Sequence, residues 1–133
     1  MAAKLILVVE DNDLNLELTT DLLEAAGYAV CHARNAQEGI QSAKTHRPCL
    51  ILMDLSLPGM DGLEATRILK RDPDTSRIPI VALTAHAMRG DEEKARSAGC
   101  AGYLTKPIDT RKFSETIGSF IKTAKTSNSE PLP

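Results

Sequence analysis

The order of segments predicts an α/β domain in which a five-stranded parallel sheet is covered by helices on both faces. Three observations carry this expectation. Short apolar runs alternate with stretches of helical spacing all along the chain. Each run is apolar almost throughout rather than alternating, the pattern of a strand buried on both faces. At 133 residues and 42% hydrophobic content the chain has material for one core, so a single domain is expected.

The first run is Leu5–Val9, and acids follow it at Glu10 and Asp11. A helical stripe of Leu14, Leu18, Leu22 and Ala25 comes next, ended by Gly27 at a C-cap position. Ala29–Ala33 is the second strand. Asn35, with Glu38 three residues on, opens a helix carrying Ala36, Ile40 and Ala43. After the third strand, Leu50–Met53, Asp61 and Glu64 repeat that capping arrangement ahead of Ala65, Ile68 and Leu69. The stretch Asp72-Pro73-Asp74-Thr75-Ser76 cannot continue a helix and predicts a loop. Ile80–Leu83 is the fourth strand, and a helix from about Arg89 to Ala98 is closed by Gly99. Gly102–Thr105 is the fifth strand. Asp109 is the expected N-cap of a last helix bearing Phe113, Ile117, Phe120 and Ile121 on one face. From Ala124 the chain has little to bury, so residues 4–123 are expected to form the domain and 124–133 a flexible polar tail.

Composition excludes several classes of function. With 16 basic against 18 acidic residues the net charge is −2, which offers no field for nucleic acid or an anionic membrane. No stretch reaches the roughly 18 apolar residues of a membrane span, and the N-terminal run is too short for a signal peptide. Cys31, Cys49 and Cys100 have neither CxxC spacing nor an even count, so they read as small buried thiols in a reducing cytoplasm. His32 and His46 fit surface or packing positions, and Arg67, Lys70 and Arg71 fit a solvated helix face. Neither GxGxxG after the first strand nor GxxxxGK[ST] occurs, so nucleotide binding lacks a motif.

In an open parallel sheet, ligands bind beyond the carboxyl ends of the strands. Glu10 and Asp11 stand at that end of the first strand, Asp54 of the third, Thr84 of the fourth, and Lys106, followed by Pro107, of the fifth. Each alone fits a turn or a cap; their conjunction on one edge points to a site. Three carboxylates close together repel unless a cation joins them. An oxygen-only set without adjoining His or Cys suits Mg²⁺ rather than zinc. An aspartate oxygen is a competent nucleophile toward phosphorus, while a lysine and a hydroxyl can stabilise a transferring phosphoryl group. His86, two residues past Thr84, is a candidate for the rim.

These residues resemble the receiver domain of two-component response regulators. The resemblance spans Lys4 to Lys122. It rests on Val8-Val9-Glu10-Asp11-Asn12, the run Met53-Asp54-Leu55-Ser56-Leu57-Pro58-Gly59-Met60-Asp61-Gly62, Leu83-Thr84-Ala85, and Tyr103-Leu104-Thr105-Lys106-Pro107. It implies a flavodoxin-like (βα)5 fold with strand order 2-1-3-4-5. It also implies that Asp54 is the phosphoacceptor and that Mg²⁺, with Mn²⁺ as a possible substitute, is held by Asp11, Asp54 and the Ser56 carbonyl, with Glu10 acting through water. Lys106 would contact the phosphoryl oxygens, Thr84 and Tyr103 would form the switch, and the Lys106–Pro107 bond would be cis. The resemblance also implies that Ser56 and His86 fall at the two variable positions that, in that family, govern how fast water reaches the phosphoaspartate. Glu10 is longer than the aspartate frequent at its position, and Leu57 replaces a frequent methionine.

The resemblance implies a histidine kinase or phosphotransfer protein as donor and a downstream protein as target, with the regulator a monomer or weak dimer. Turnover would be limited to self-phosphorylation and autodephosphorylation at Asp54. The run Thr84–Glu92 is closer to cell-cycle-type single-domain receivers than to motility regulators. A rival of another class is an aspartyl-phosphate phosphatase, which pairs its nucleophile with an acid two residues on, where this chain has Ser56. A flavin-binding electron carrier is disfavoured by two Tyr, two Phe and no Trp.

Overall fold

The computed structural model describes residues 4–55, 62–84, 91–105 and 111–129. Its elements alternate as β1 (Leu5–Val9), α1 (Asp13–Ala25), β2 (Ala29–Ala33), α2 (Ala36–His46), β3 (Leu50–Asp54), α3 (Gly62–Arg71), β4 (Ile80–Thr84), α4 (Asp91–Ala98), β5 (Gly102–Thr105) and α5 (Phe113–Ser129). All strand pairs are parallel, in the order β2-β1-β3-β4-β5. The five-stranded parallel sheet and the strand order 2-1-3-4-5 expected for a flavodoxin-like fold are both present.

Period-two alternation divides the central strands between two cores. Leu7, Val9, Ile51, Met53, Ile80 and Ala82 face one side, against Ala36 and Ala43 of α2 and Ala65 and Leu69 of α3. Ile6, Val8, Leu50, Leu52, Val81 and Leu83 face the other, against Leu16 and Leu23 of α1 and Phe113, Ile117 and Ile121 of α5. Full burial of each such aliphatic chain contributes about 1.5–3 kcal/mol, which favours central placement of the most apolar runs. β3 and β4 are buried throughout, whereas β2, at the edge, is mostly half-buried.

The caps follow local chemistry. The Asn35 side chain accepts from the Glu38 N–H at 2.9 Å, and the Glu38 carboxylate accepts from the Asn35 amide at 2.8 Å. Gly99 closes α4 at φ 115°, and Gly27 follows the Ala26 C-cap at φ 96°, both in the left-handed region that favours glycine. Asp61, Asp109 and residues 89 and 90, where the fourth helix was expected to begin, lie outside the described residues.

Three expectations change. The stripe Leu14, Leu18, Leu22, Ala25 is not the buried face of α1: Leu14 is 78% exposed, and Leu16, Thr19 and Leu23 point inward. α1 carries leucines around most of its circumference, so spacing alone selects no face. Lys70 does not lie on a solvated face. Its ammonium is half-buried and donates to the Ser76 carbonyl at 3.0 Å and the Ile78 carbonyl at 2.6 Å, and burial pushes its pKa below the usual lysine range. Finally, α5 runs to Ser129, beyond Ala124, with no Gly or Pro between Gly118 and Pro131 to stop it. Among the cysteines Cys100 is buried, while Cys31 and Cys49 are half-buried.

Candidate functional site

The carboxyl ends of β1 and β3 are neighbours, since Val9 pairs with Met53. One residue further, Glu10 and Asp54 come level. Glu10 is held from both sides: its N–H donates to the Ala33 carbonyl at 3.0 Å, and its carboxylate accepts from the Asn12 N–H at 3.3 Å. Asn12 then caps α1, its side chain accepting from the Asn15 N–H at 3.0 Å. The strand-to-helix turn is thus fixed at both ends, with Asp11 exposed between them. Asp54 lies at the end of β3, where the following residue, Leu55, donates its N–H to the Leu83 carbonyl at 2.9 Å.

One carboxylate oxygen from each of Glu10, Asp11 and Asp54 lies within 4.8 Å of the others. Glu10 is 1% exposed and Asp54 2%. At 4.8 Å each pair of ionised groups repels by about 0.9 kcal/mol in a water-like dielectric and about 3.5 kcal/mol at an effective dielectric of ~20. Such a cluster gains from a cation. Its donors are all carboxylate oxygens, the hard set that Mg²⁺ prefers, so the residues fit that ion.

Thr84, 5% exposed, ends β4 on the same edge of the sheet. Tyr103 pairs with Ala82, two residues before Thr84, so Thr84 and Tyr103 project from the same face of adjacent strands. Tyr103 is half-buried against the core on that side. Ser56, His86, Lys106 and the Lys106–Pro107 bond lie outside the described residues. The fold therefore brings together Glu10, Asp11 and Asp54, and sets Thr84 and Tyr103 alongside each other. His32 is apart from this cluster, exposed on β2 with its Nε2 3.1 Å from the Thr20 hydroxyl.

Sequence reasoning gave Gly62 no role beyond its place in a motif. It begins α3 directly against the backbone of Asp54 and Leu55. Only a small residue fits there, but packing alone reveals it.

The profile of the response regulator receiver domain matches residues 6–118. Among curated proteins, the polar-differentiation response regulator DivK of Brucella anthropi is 49% identical over 118 residues, covering 89% of this chain and 96% of that protein. DivK of Brucella ovis is 48% identical over the same shares. Among solved structures, the receiver domain of a sensor histidine kinase from Pseudomonas aeruginosa, with a magnesium ion coordinated in its active site cleft, superposes with a TM-score of 0.84 at 36% identity, covering 91% of this chain and 99% of that one. A CheY-like receiver domain protein from Methanospirillum hungatei superposes at 0.87 with 27% identity, covering 95% and 99%.

Proposed function

The chain belongs to the response regulator receiver domain family, and we propose that Asp54 is its phosphoacceptor, making the protein a Mg²⁺-dependent phospho-switch. The observation that carries this reading is Asp54 itself, a buried carboxylate at the end of a central strand with Glu10 and Asp11 within 4.8 Å. Mg²⁺ would be held by Asp11, Asp54 and the Ser56 carbonyl, with Glu10 acting through water and Mn²⁺ able to substitute. When bound, the ion offsets the carboxylate repulsion and the charge on the phosphoryl oxygens.

In the transfer, an Asp54 carboxylate oxygen attacks the phosphorus of a phosphohistidine. The O–P bond forms, the N–P bond breaks, and the electron pair stays on the imidazole nitrogen. Lys106 and Thr84 bind the transferring oxygens. With little covalent work for the protein to do, positioning and electrostatics supply the catalysis. Water later hydrolyses the acyl phosphate, and Ser56 and His86 set its access. Thr84 moves toward the phosphoryl group and Tyr103 follows into the vacated space; their shared face on adjacent strands supports this coupling. Lys106–Pro107 is cis in this reading.

The donor is a histidine kinase or phosphotransfer protein and the output is docking to a downstream protein, with the regulator a cytoplasmic monomer or weak dimer. Among the described residues no helix is long and apolar enough to cross a membrane. Residues 4–123 form the receiver unit in this reading, and 124–133 are a polar tail whose first part continues α5. Relatives named for polar differentiation favour a cell-cycle phosphorelay over motility control. Ser56, standing where a phosphatase would carry its second acid, disfavours the enzyme reading.

Incubation with acetyl phosphate and Mg²⁺ should add one phosphoryl group to the intact protein by mass, and Asp54→Asn should abolish the addition. Labelling of Asp54→Asn equal to the parent refutes the assignment. Release of many phosphates per protein from small esters would establish the phosphatase instead.

A further inference from the structure

We propose that Gly62 is a positioning residue that sets Asp54 against Glu10 and Asp11. The inference rests on the assignment of Asp54 and extends it to the start of α3. Gly62 is buried at the first position of that helix. Its φ is not positive, the positive-φ glycines among the described residues being Gly27 and Gly99, so alanine could adopt the same backbone. What glycine supplies here is room.

A Cβ added at Gly62 would lie 2.5 Å from the Asp54 carbonyl oxygen, 3.0 Å from the Leu55 Cα and 3.0 Å from the Leu55 Cδ2. Two of these atoms are backbone and cannot swing aside. Restoring an ordinary contact of 3.4 Å from 2.5 Å demands a shift of about 1 Å.

Both sides are anchored. The Leu55 N–H is bonded to the Leu83 carbonyl at 2.9 Å, and Asp54 pairs with Leu83 in the sheet. On the helix side, Ala65 and Leu69 are buried in the core, and within α3 the buried Thr66 hydroxyl donates to the Gly62 carbonyl at 2.8 Å, stiffening its first turn. A methyl group therefore moves the backbone carrying the Asp54 carboxylate, or pushes α3 away from it. Other helical glycines differ. At Gly39 the atoms nearest the added Cβ belong to the Val9 side chain, 2.9 Å away at the closest, and at Gly118 it meets only the Tyr28 hydroxyl at 3.6 Å. Mg²⁺ demands near-ideal octahedral geometry, so a displaced carboxylate is a poorer ligand, and a displaced nucleophile reacts more slowly.

The test compares the full-length parent, Gly62→Ala and Gly118→Ala by titration with Mg²⁺ alone, by acetyl phosphate labelling, and by Tm in EDTA. Gly118→Ala should gain a few degrees in Tm from helix propensity and bind Mg²⁺ as the parent does. Gly62→Ala should bind Mg²⁺ about tenfold more weakly and label more slowly at a temperature where it is fully folded. A merely structural role would lower Tm and leave the affinity of the folded protein unchanged, so folded Gly62→Ala with parental Mg²⁺ affinity and labelling overturns the proposal. If Gly62→Ala does not fold, Thr66→Val, which removes the side-chain donor to the Gly62 carbonyl and loosens the first turn of α3, is read in the same way. It should weaken Mg²⁺ binding about threefold, and an unchanged affinity overturns the proposal. A parent that neither binds Mg²⁺ nor labels refutes the Asp54 assignment itself, a separate outcome.

Discussion

Replacing Asp11 by Asn should make the metal-free protein more stable while weakening its hold on Mg²⁺. Asp11 faces two carboxylates, Glu10 and Asp54, each within 4.8 Å. Because Asp11 is exposed, the water-like dielectric is the appropriate one, giving about 0.9 kcal/mol of repulsion per neighbour and about 2 kcal/mol for both. Salt screens part of this, so a gain of about 1–2 kcal/mol is expected at low ionic strength. In a domain of this size that raises Tm by about 3–8 °C. Asparagine preserves the shape and Asp11 is exposed, so the fold should be spared.

Mg²⁺ should reverse the advantage. At a hundred times its dissociation constant, a ligand stabilises the protein that binds it by about 2.7 kcal/mol. A tenfold loss of affinity in Asp11→Asn removes about 1.3 kcal/mol of that benefit. The assay is urea denaturation of parent and variant, in EDTA and again in millimolar Mg²⁺. If Asp11→Asn is no more stable than the parent in EDTA, the carboxylates are not repelling one another as the geometry requires. If Mg²⁺ stabilises both proteins equally, Asp11 is not a ligand.

Two further outcomes are expected elsewhere in the fold. Lys70→Met keeps the stem that packs over Gly99 but removes the charged donor to the Ser76 and Ile78 carbonyls. Net of the ammonium's burial cost, a loss of about 2 kcal/mol is expected, seen as a lower urea midpoint at unchanged m; a variant at least as stable as the parent would show the two bonds to be worth nothing. The Asp72 carboxyl is held below its usual 3.8 by the Asp74 N–H and then by Lys44. A depressed folded pKa means stability present above 3.8 and lost as pH falls through the folded value. Parent and Asp72→Asn should therefore differ in Tm at neutral pH and converge in acid, and a gap constant with pH would contradict the assignment.

Local rules were enough for much of the fold. The unbroken apolar run Leu50–Met53 requires two covered faces, and the structure makes β3 central. Asn35 with Glu38, Gly27 and Gly99 mark helix ends through atoms a few residues apart, so their caps were legible in the sequence. α1 was not: with leucines around most of its circumference, the inward face depends on what it packs against. The half-buried place of Lys70 was not legible either, because its acceptors, the Ser76 and Ile78 carbonyls, belong to a loop whose path no local pattern specifies.

For the site, residue identity and position along the strands were enough to point to the candidate donors. It placed Glu10, Asp11, Asp54 and Thr84 at the carboxyl ends of strands, where a parallel sheet gathers its ligands, and the all-oxygen donor set follows from residue identity. Proximity and clearance came from the packing of the elements. Glu10 and Asp54 are 44 positions apart in the chain, and only the register of β1 on β3 sets them level. Whether Gly62 can approach the Asp54 backbone depends on a contact between the start of α3 and the end of β3. Sequence periodicity reports which way a side chain points along its own element, whereas distances between elements are fixed by packing.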